Sequence, residues 1–172
     1  MFLLIHIISL GGDIYMIKKK DLVLASYLRQ DARIPLTTLS RKSGVPVSTI
    51  FDRIRAGTGE VILRATALLN YPKLGYNTRA TVLIKARKET KEHMREFLMQ
   101  SANVNSLYKI NNGYDFMADF IFRNACELED FVESLDDKFD VKVKDIHYII
   151  EDLKQEDFLV RPDMVDMLFP AA

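Results

Sequence analysis

Cysteine is nearly absent. Cys126 is the only one in 172 residues, so no intrachain disulfide forms and no zinc cluster can assemble on thiolates. A reducing, cytoplasmic location is the expectation. No apolar run is long enough to span a bilayer as a helix. The three histidines, His6, His93 and His147, fall on separate segments without metal-ligand spacing, so no metal is expected. No serine sits on a nucleophile elbow, and no Gly-rich loop follows a strand to cradle phosphate. His147 reads as a half-buried sheet residue, and Cys126 near a helix start is one thiol without a neighbouring base. These absences leave no catalytic set and no cofactor, and the expectation is a protein that is not an enzyme.

Net charge is also missing, with 24 basic against 24 acidic residues. Its distribution is uneven. Residues 16–64 hold ten Lys/Arg against four Asp/Glu, a local +6, whereas residues 65–172 hold fourteen against nineteen, or −5, and Asp13 supplies the last −1. A basic front joined to an acidic back predicts two modules with different partners. The apolar opening "MFLLIHIISLGG" lacks preceding cations and a convincing cleavage site, so residues 1–15 read as an uncertain extension before a soluble domain that restarts at Met16, with a packing strand as the alternative and a secretory signal behind both.

The front module, 16–64, reads as three short helices. "KKKDLVLASYLRQDARI" sets Leu22, Ala25 and Leu28 on one face, with Asp21 as N-cap. "PLTTLSRKSG" starts at Pro35, turns Leu36 and Leu39 inward and stops at Gly44. "VPVSTIFDRIRAG" gives a third helix with Val47, Ile50 and Ile54 as its buried stripe. The short glycine-containing connection between the second and third helices is a helix-turn-helix pattern, and "AGTGEVIL" predicts a small wing. The third helix then presents Ser48, Thr49, Phe51, Asp52 and Arg55 outward, with Arg53 at the flank. Hydroxyls, a guanidinium and an aromatic edge suit the major groove, and Lys18, Lys19, Lys20, Arg41 and Lys42 suit the phosphates of double-stranded DNA. Spacing alone also fits a three-helix scaffold with a solvated polar face, and Asp52 would repel phosphate unless a cation neutralised it.

"YPKLGYNT" closes a linker over 65–78. Residues 79–152 follow as strand "RATVLIKA", helix "KEHMREFLMQSA", strands "VNSLYKI" and "DFMADFIF" around the turn "NNGY", helix "CELEDFVESLDDKF" and strand "VKVKDIHYII". This βαββαβ order is the ferredoxin-like arrangement, with two helices on one face of a four-stranded antiparallel sheet. The uncovered face is expected to carry apolar and aromatic groups from each strand and to pair with a second copy, giving a homodimer. The tail, 153–172, has Met and Phe at roughly helical spacing and is read either as docking on a neighbour or as disordered.

Helix-turn-helix, wing, linker and ferredoxin-like half, in that order and size, resemble the Lrp/AsnC (feast/famine) regulators over most of residues 16–160. The resemblance rests on "DLVLASYLRQDARIPLTTLSRKSGVPVSTIFDRI", "ATALLNYPKLG" and "NGYDFMADF". It implies an α+β chain with a winged helix-turn-helix domain and a ferredoxin-like RAM domain, acting as a DNA-binding transcriptional regulator. It further implies even-numbered rings of dimers and a small effector, commonly an amino acid, near Gly113, Tyr114 and Asp115. Gly113 can take a positive φ there, and Asp115 can accept from an α-ammonium group; plain hairpin chemistry explains the same Asn-Gly turn. Pro46 stands where the family usually caps the recognition helix with serine, and "RAGTGEVI" replaces the usual continuation, which predicts an earlier helix end. A sirohaem-decarboxylase-like enzyme on the same two domains, or an amino-acid sensor acting through protein partners, would be the alternatives.

Overall fold

The computed structural model describes residues 18–57 and 61–170. The chain divides into two compact units, one of residues up to 67 together with the C-terminal segment from Lys154, the other spanning Leu68–Leu153. The expected extension over 1–15 lies outside the described residues.

The first unit holds helices α1 (Lys19–Gln30), α2 (Leu36–Ser43) and α3 (Val47–Gly57). Helix α1 starts from Lys18, not Asp21. Asp21 sits at the third helical position, where its Oδ2 accepts from the Lys18 backbone N–H at 2.9 Å. An acid there still satisfies a free donor of the first turn and faces the positive end of the helix dipole. Helix α2 follows Pro35 and ends at Gly44, whose φ of 68° makes the left-handed cap that a side chain would resist. The turn into α3 is Gly44-Val45-Pro46, and Ile50 N–H bonds the Pro46 carbonyl at 2.9 Å. Proline immediately before the first helical residue offers no side-chain acceptor, so its carbonyl joins the helix without a serine-type cap.

Leu24, Leu39, Val45 and Ile50 form the core of this three-helix body, with Tyr27, Leu28, Ile34, Leu36 and Ile54 around it. The expected stripe on α3 needs one correction. Val47 is 39% exposed, and Val45 is buried instead. Val47 opens the helix at its rim, and the turn residue before Pro46 fills the space beneath. Helix α3 does not end early; it runs three turns to Gly57. Of the expected wing, Thr58, Gly59 and Glu60 lie outside the described residues. Val61 and Ile62 both donate to the Gly57 carbonyl at 3.0 Å, closing the end of α3 with a turn, and Ile62 takes part in an isolated β-bridge.

The C-terminal segment belongs to the same unit. Leu159 and Val165, the latter on the short helix α6 (Met164–Leu168), bury Leu22 of α1, flanked by Val23 and Phe169.

The second unit holds β1 (Thr78–Lys85), α4 (Lys91–Gln100), β2 (Val104–Lys109), β3 (Phe116–Phe122), α5 (Ala125–Phe139) and β4 (Val143–Tyr148). The sheet order is β2-β3-β1-β4, antiparallel throughout, which is the ferredoxin-like topology expected from the sequence. Alternation sends Ala80, Val82 and Ile84 of β1, and Phe116, Ala118, Phe120 and Phe122 of β3, to one face. Helices α4 and α5 meet that face with Met94, Leu98, Leu128, Val132 and Leu135. Phe97, Phe131 and Phe139 close its rim as partly buried rings, Phe131 lying 5.2 Å from Phe120 between centroids. Asn124 caps α5 by accepting from the Glu127 N–H at 2.9 Å.

The opposite face is uncovered by this chain, and its composition differs from expectation. Leu83, Met117, Ile121 and Tyr108 are apolar, but register also places Arg79, Thr81, Ser106 and Asp119 there, with Asp145 and His147 from β4. Apolar groups therefore come from β1, β2 and β3, and the described side chains that β4 adds to this face are Asp145 and His147. His147 is exposed rather than half-buried, because it alternates away from the helices. Thr81 Oγ1 donates to Asp119 Oδ1 at 2.7 Å on this face.

Candidate nucleic-acid interface

Helix α3 is positioned by Ile50, which is fully buried, and by Ile54, partly buried beside it. Turning these inward leaves Ser48, Phe51, Asp52 and Arg55 exposed on the far side, with Thr49 half-buried at the edge. Phe51 keeps 55% of its surface in contact with solvent, a large apolar group that the domain's own core does not use. Ser48, Asp52 and Arg55 make no side-chain hydrogen bond or ion pair with the described residues, so their polar atoms are available to an outside partner.

Arg53 is different. It was expected at the flank of this surface, yet its guanidinium Nη1 lies 2.5 Å from Asp21 Oδ1, with its side chain only 22% exposed. The helical spacing of α3 turns position 53 toward α1, and the carboxylate of Asp21 meets it. Arg53 is thus a brace between two helices, lining a small hollow with Leu24, Ala25, Leu28 and Gly57. Nothing in the sequence marked Asp21 as its partner, because the two are 32 positions apart.

The basic set is spread around the helical body. Lys18, Lys19 and Lys20 are exposed at the start of α1, Arg41 and Lys42 at the end of α2. Lys42 Nζ sits 5.5 Å from the centre of the Tyr27 ring, whose hydroxyl donates to the Lys42 carbonyl at 3.4 Å. Lys19 is engaged by Asp166 of α6 at 2.5 Å. Lys18, Lys20 and Arg41 have no side-chain ion pair among the described residues.

The turn expected to meet a small effector forms between β2 and β3. Asn112 and Gly113 both take positive φ, 60° and 98°, and asparagine and glycine tolerate this best. The Tyr114 hydroxyl donates to Asp145 of β4, and that bond, with burial and the nearby negative charge, raises the phenol above its ordinary value. Asp115 is buried. Its Oδ2 accepts from the Ala86 N–H at 3.2 Å, Lys91 Nζ lies 2.5 Å from Oδ1 and Lys85 Nζ 3.2 Å from Oδ2. Burial alone would push its carboxyl up, but hydrogen bonds and charge from Lys91 and Lys85 outweigh this and hold it below the ordinary value. The acceptor expected for an α-ammonium is filled here by the chain's own ammonium groups. Lys85, Lys91 and Asp145 were not singled out in the sequence, since only the fold brings them to this turn.

His93 on α4 and His147 on β4 lie on different elements, and no cluster of metal-binding side chains occurs among the described residues. No helix of the described residues is long and apolar enough to cross a membrane.

No family model matches the sequence. Among curated proteins, the HTH-type transcriptional regulator FL11 of Pyrococcus furiosus is 30% identical over 114 residues, covering 66% of this chain and 76% of that protein. Among solved structures, AsnC of E. coli superposes with a TM-score of 0.74 at 17% identity, over 84% of this chain and 99% of its own. A transcriptional regulator of Neisseria meningitidis, solved as a complex with L-Met, gives 0.75 at 16% identity, over 81% and 94%. At those identities the two structures speak for the fold, both units included. Sequence relatedness to the regulators and the shared fold agree: the chain belongs to the Lrp/AsnC family of helix-turn-helix transcriptional regulators.

Proposed function

We propose that this regulator reads duplex DNA with the exposed side of α3, as a cytoplasmic homodimer. The observation that carries the reading is the outward set Ser48, Phe51, Asp52 and Arg55, left unused by the domain, on a helical unit that also carries exposed cations. Arg55 can fork onto guanine, Ser48 and Thr49 can meet either groove partner, and Phe51 can lie against a thymine methyl. Lys18, Lys20, Arg41 and Lys42 hold the backbone. Asp52, three residues before Arg55 on the same side, limits the surface to sites where a base amino group can donate to it.

Pairing through Leu83, Met117, Ile121 and Tyr108 of the uncovered sheet face supports the dimer, and rings of dimers are built on the same pair. An amino acid is the effector class, supported by the L-Met complex of the Neisseria relative in fold. At Gly113, Tyr114 and Asp115 such a ligand has to exchange with Lys91 and Lys85, its ammonium taking Asp115 and its carboxylate taking the lysines. No step of this reading needs a cofactor.

Selection from random duplex DNA at two salt concentrations tests it. A near-palindrome with half-sites about one helical turn apart, or a multiple of it, is the expected product. Binding that stays sequence-blind and disappears with modest salt would overturn it.

A further inference from the structure

Residues 154–170 return to the helical unit and cover the outer side of α1. Leu159 and Val165 bury Leu22, and polar contacts surround that small apolar patch. Arg29 donates to the Glu156 carbonyl at 2.7 Å and to its Oε2 at 3.0 Å. Gln30 Nε2 donates to the Val160 carbonyl at 2.8 Å, and Lys19 Nζ meets Asp166 at 2.5 Å. The segment is therefore gripped at both ends of one helix.

Its backbone is not relaxed. Glu156 and Leu159 have φ of 50° and 57°, in the left-handed region that a branched side chain such as leucine rarely enters. Such conformations persist only where surrounding contacts over-determine them. Here the contacts are the Arg29 and Gln30 grips and the burial of the Leu159 side chain. They are modest ones. Three buried residues make this patch, against thirteen in the core of the sheet unit. The Lys19 and Asp166 side chains remain 50% and 72% exposed, so their attraction is screened. Strain held by a small patch and solvated ion pairs belongs to the low-stability end of a fold, where elements open locally.

The charges give this opening a consequence. Residues 154–172 carry Lys154 and Arg161 against Glu156, Asp157, Asp163 and Asp166, a net −2, and two of those carboxylates sit on cations of a segment with local charge +6. We propose that the C-terminal segment is a releasable intramolecular competitor of DNA. Docked, it occupies Lys19 and Arg29 and lowers the positive potential of the helical unit. Released, it frees both cations and strengthens attraction to phosphate. The inference rests on the DNA-binding reading above.

The full-length protein, the charge variant Glu156→Gln/Asp166→Asn and the undocking variant Val165→Asp test it. The charge variant leaves Leu159 and Val165 in place, so the fold of the patch is retained. Hydrogen exchange reads docking, and affinity for a random-sequence duplex across a salt series reads competition. In the native protein the amides of 159–169 are expected to be protected, and Val165→Asp is expected to lose that protection. The charge variant is expected to bind about five- to tenfold more tightly at low salt, with a steeper salt dependence that closes the gap as salt rises. Unprotected amides in the native protein would overturn the proposal, as would a charge variant with unchanged affinity and slope. Failure of all three proteins to bind duplex at low salt would remove the DNA reading itself; protected amides in the same samples would show that docking is not what failed.

Discussion

Asp21 and Arg53 join α1 to α3 of the helical unit, carboxylate to guanidinium at 2.5 Å, with side chains 8% and 22% exposed. The pair engages Arg53 within the helical unit, whereas Arg55, two residues later, has no ion pair among the described residues. It also fixes the roll of α3, and hence which residues face outward.

Breaking this pair is expected to act on stability rather than on recognition. Arg53→Ala leaves a nearly buried carboxylate without its partner, a loss of about 3 kcal/mol in unfolding free energy. Urea unfolding followed by circular dichroism measures it. Affinity per folded molecule, taken well below the melting temperature, should stay within about threefold of the native value (about 0.7 kcal/mol). A variant of native stability that binds DNA poorly would instead place Arg53 at the phosphates.

Arg55→Ala is the opposite case. Its side chain is exposed and has no ion pair among the described residues, so unfolding should change by less than about 0.5 kcal/mol. Binding to the selected site should weaken by about 1–3 kcal/mol, with base preference relaxed at one position of each half-site. Phe51→Ala should cost less and relax preference at a thymine. Competition binding against single-base variants of the site separates the two.

Asp115 gives a pH signature to the sheet unit. Lys91 and Lys85 hold its carboxyl below the ordinary 3.8 despite burial, so the unfolded chain binds the proton more readily than the folded one. Its stabilising contribution is complete above pH 3.8 and is lost as pH falls through the lower folded value. Asp115→Asn should remove that acid dependence and lower stability near neutrality by about 2 kcal/mol, since two charged donors lose an ionised acceptor. Unfolding curves from about pH 3 to pH 7 on both proteins show it as converging stabilities at the acid end. Parallel curves would mean that Asp115 is not depressed.

The fold was legible in the sequence because its signals are local. Apolar alternation in "RATVLIKA" and "DFMADFIF", and helical spacing of Leu128, Val132 and Leu135, each follow from whether one face of an element is buried. Gly44 and Gly113 marked the turns that need positive φ. What stayed hidden depends on partners distant in the chain. The pairing of Arg53 with Asp21, of Asp115 with Lys85 and Lys91, and of Lys19 and Arg29 with the C-terminal segment has no periodicity, and a charged residue reads as solvated until its neighbour is known. Val47 failed for a related reason: spacing sets a side of the helix, but not whether the core extends to its first turn.

The uncovered sheet face supplies the last prediction. Leu83 lies at its centre on β1, between Met117 of β3 and Asp145 of β4, and points away from the helices. A charge there leaves the folded unit intact, because Val82 and Ile84 on either side carry the core contacts. In a dimer built on this face it would be desolvated, and the carboxylate beside it, Asp145, is already engaged by the Tyr114 hydroxyl. Leu83→Arg should therefore raise the dimer dissociation constant by about a hundredfold, about 2.8 kcal/mol, while melting of the dilute protein changes little. Sedimentation velocity over a concentration series reads the equilibrium directly. Affinity for a two-half-site operator should fall with it, because two linked helical units gain from binding one duplex together. Binding to a single half-site should not change. A variant that stays dimeric would move the interface off this face, and one that turns monomeric yet keeps full operator affinity would separate assembly from recognition.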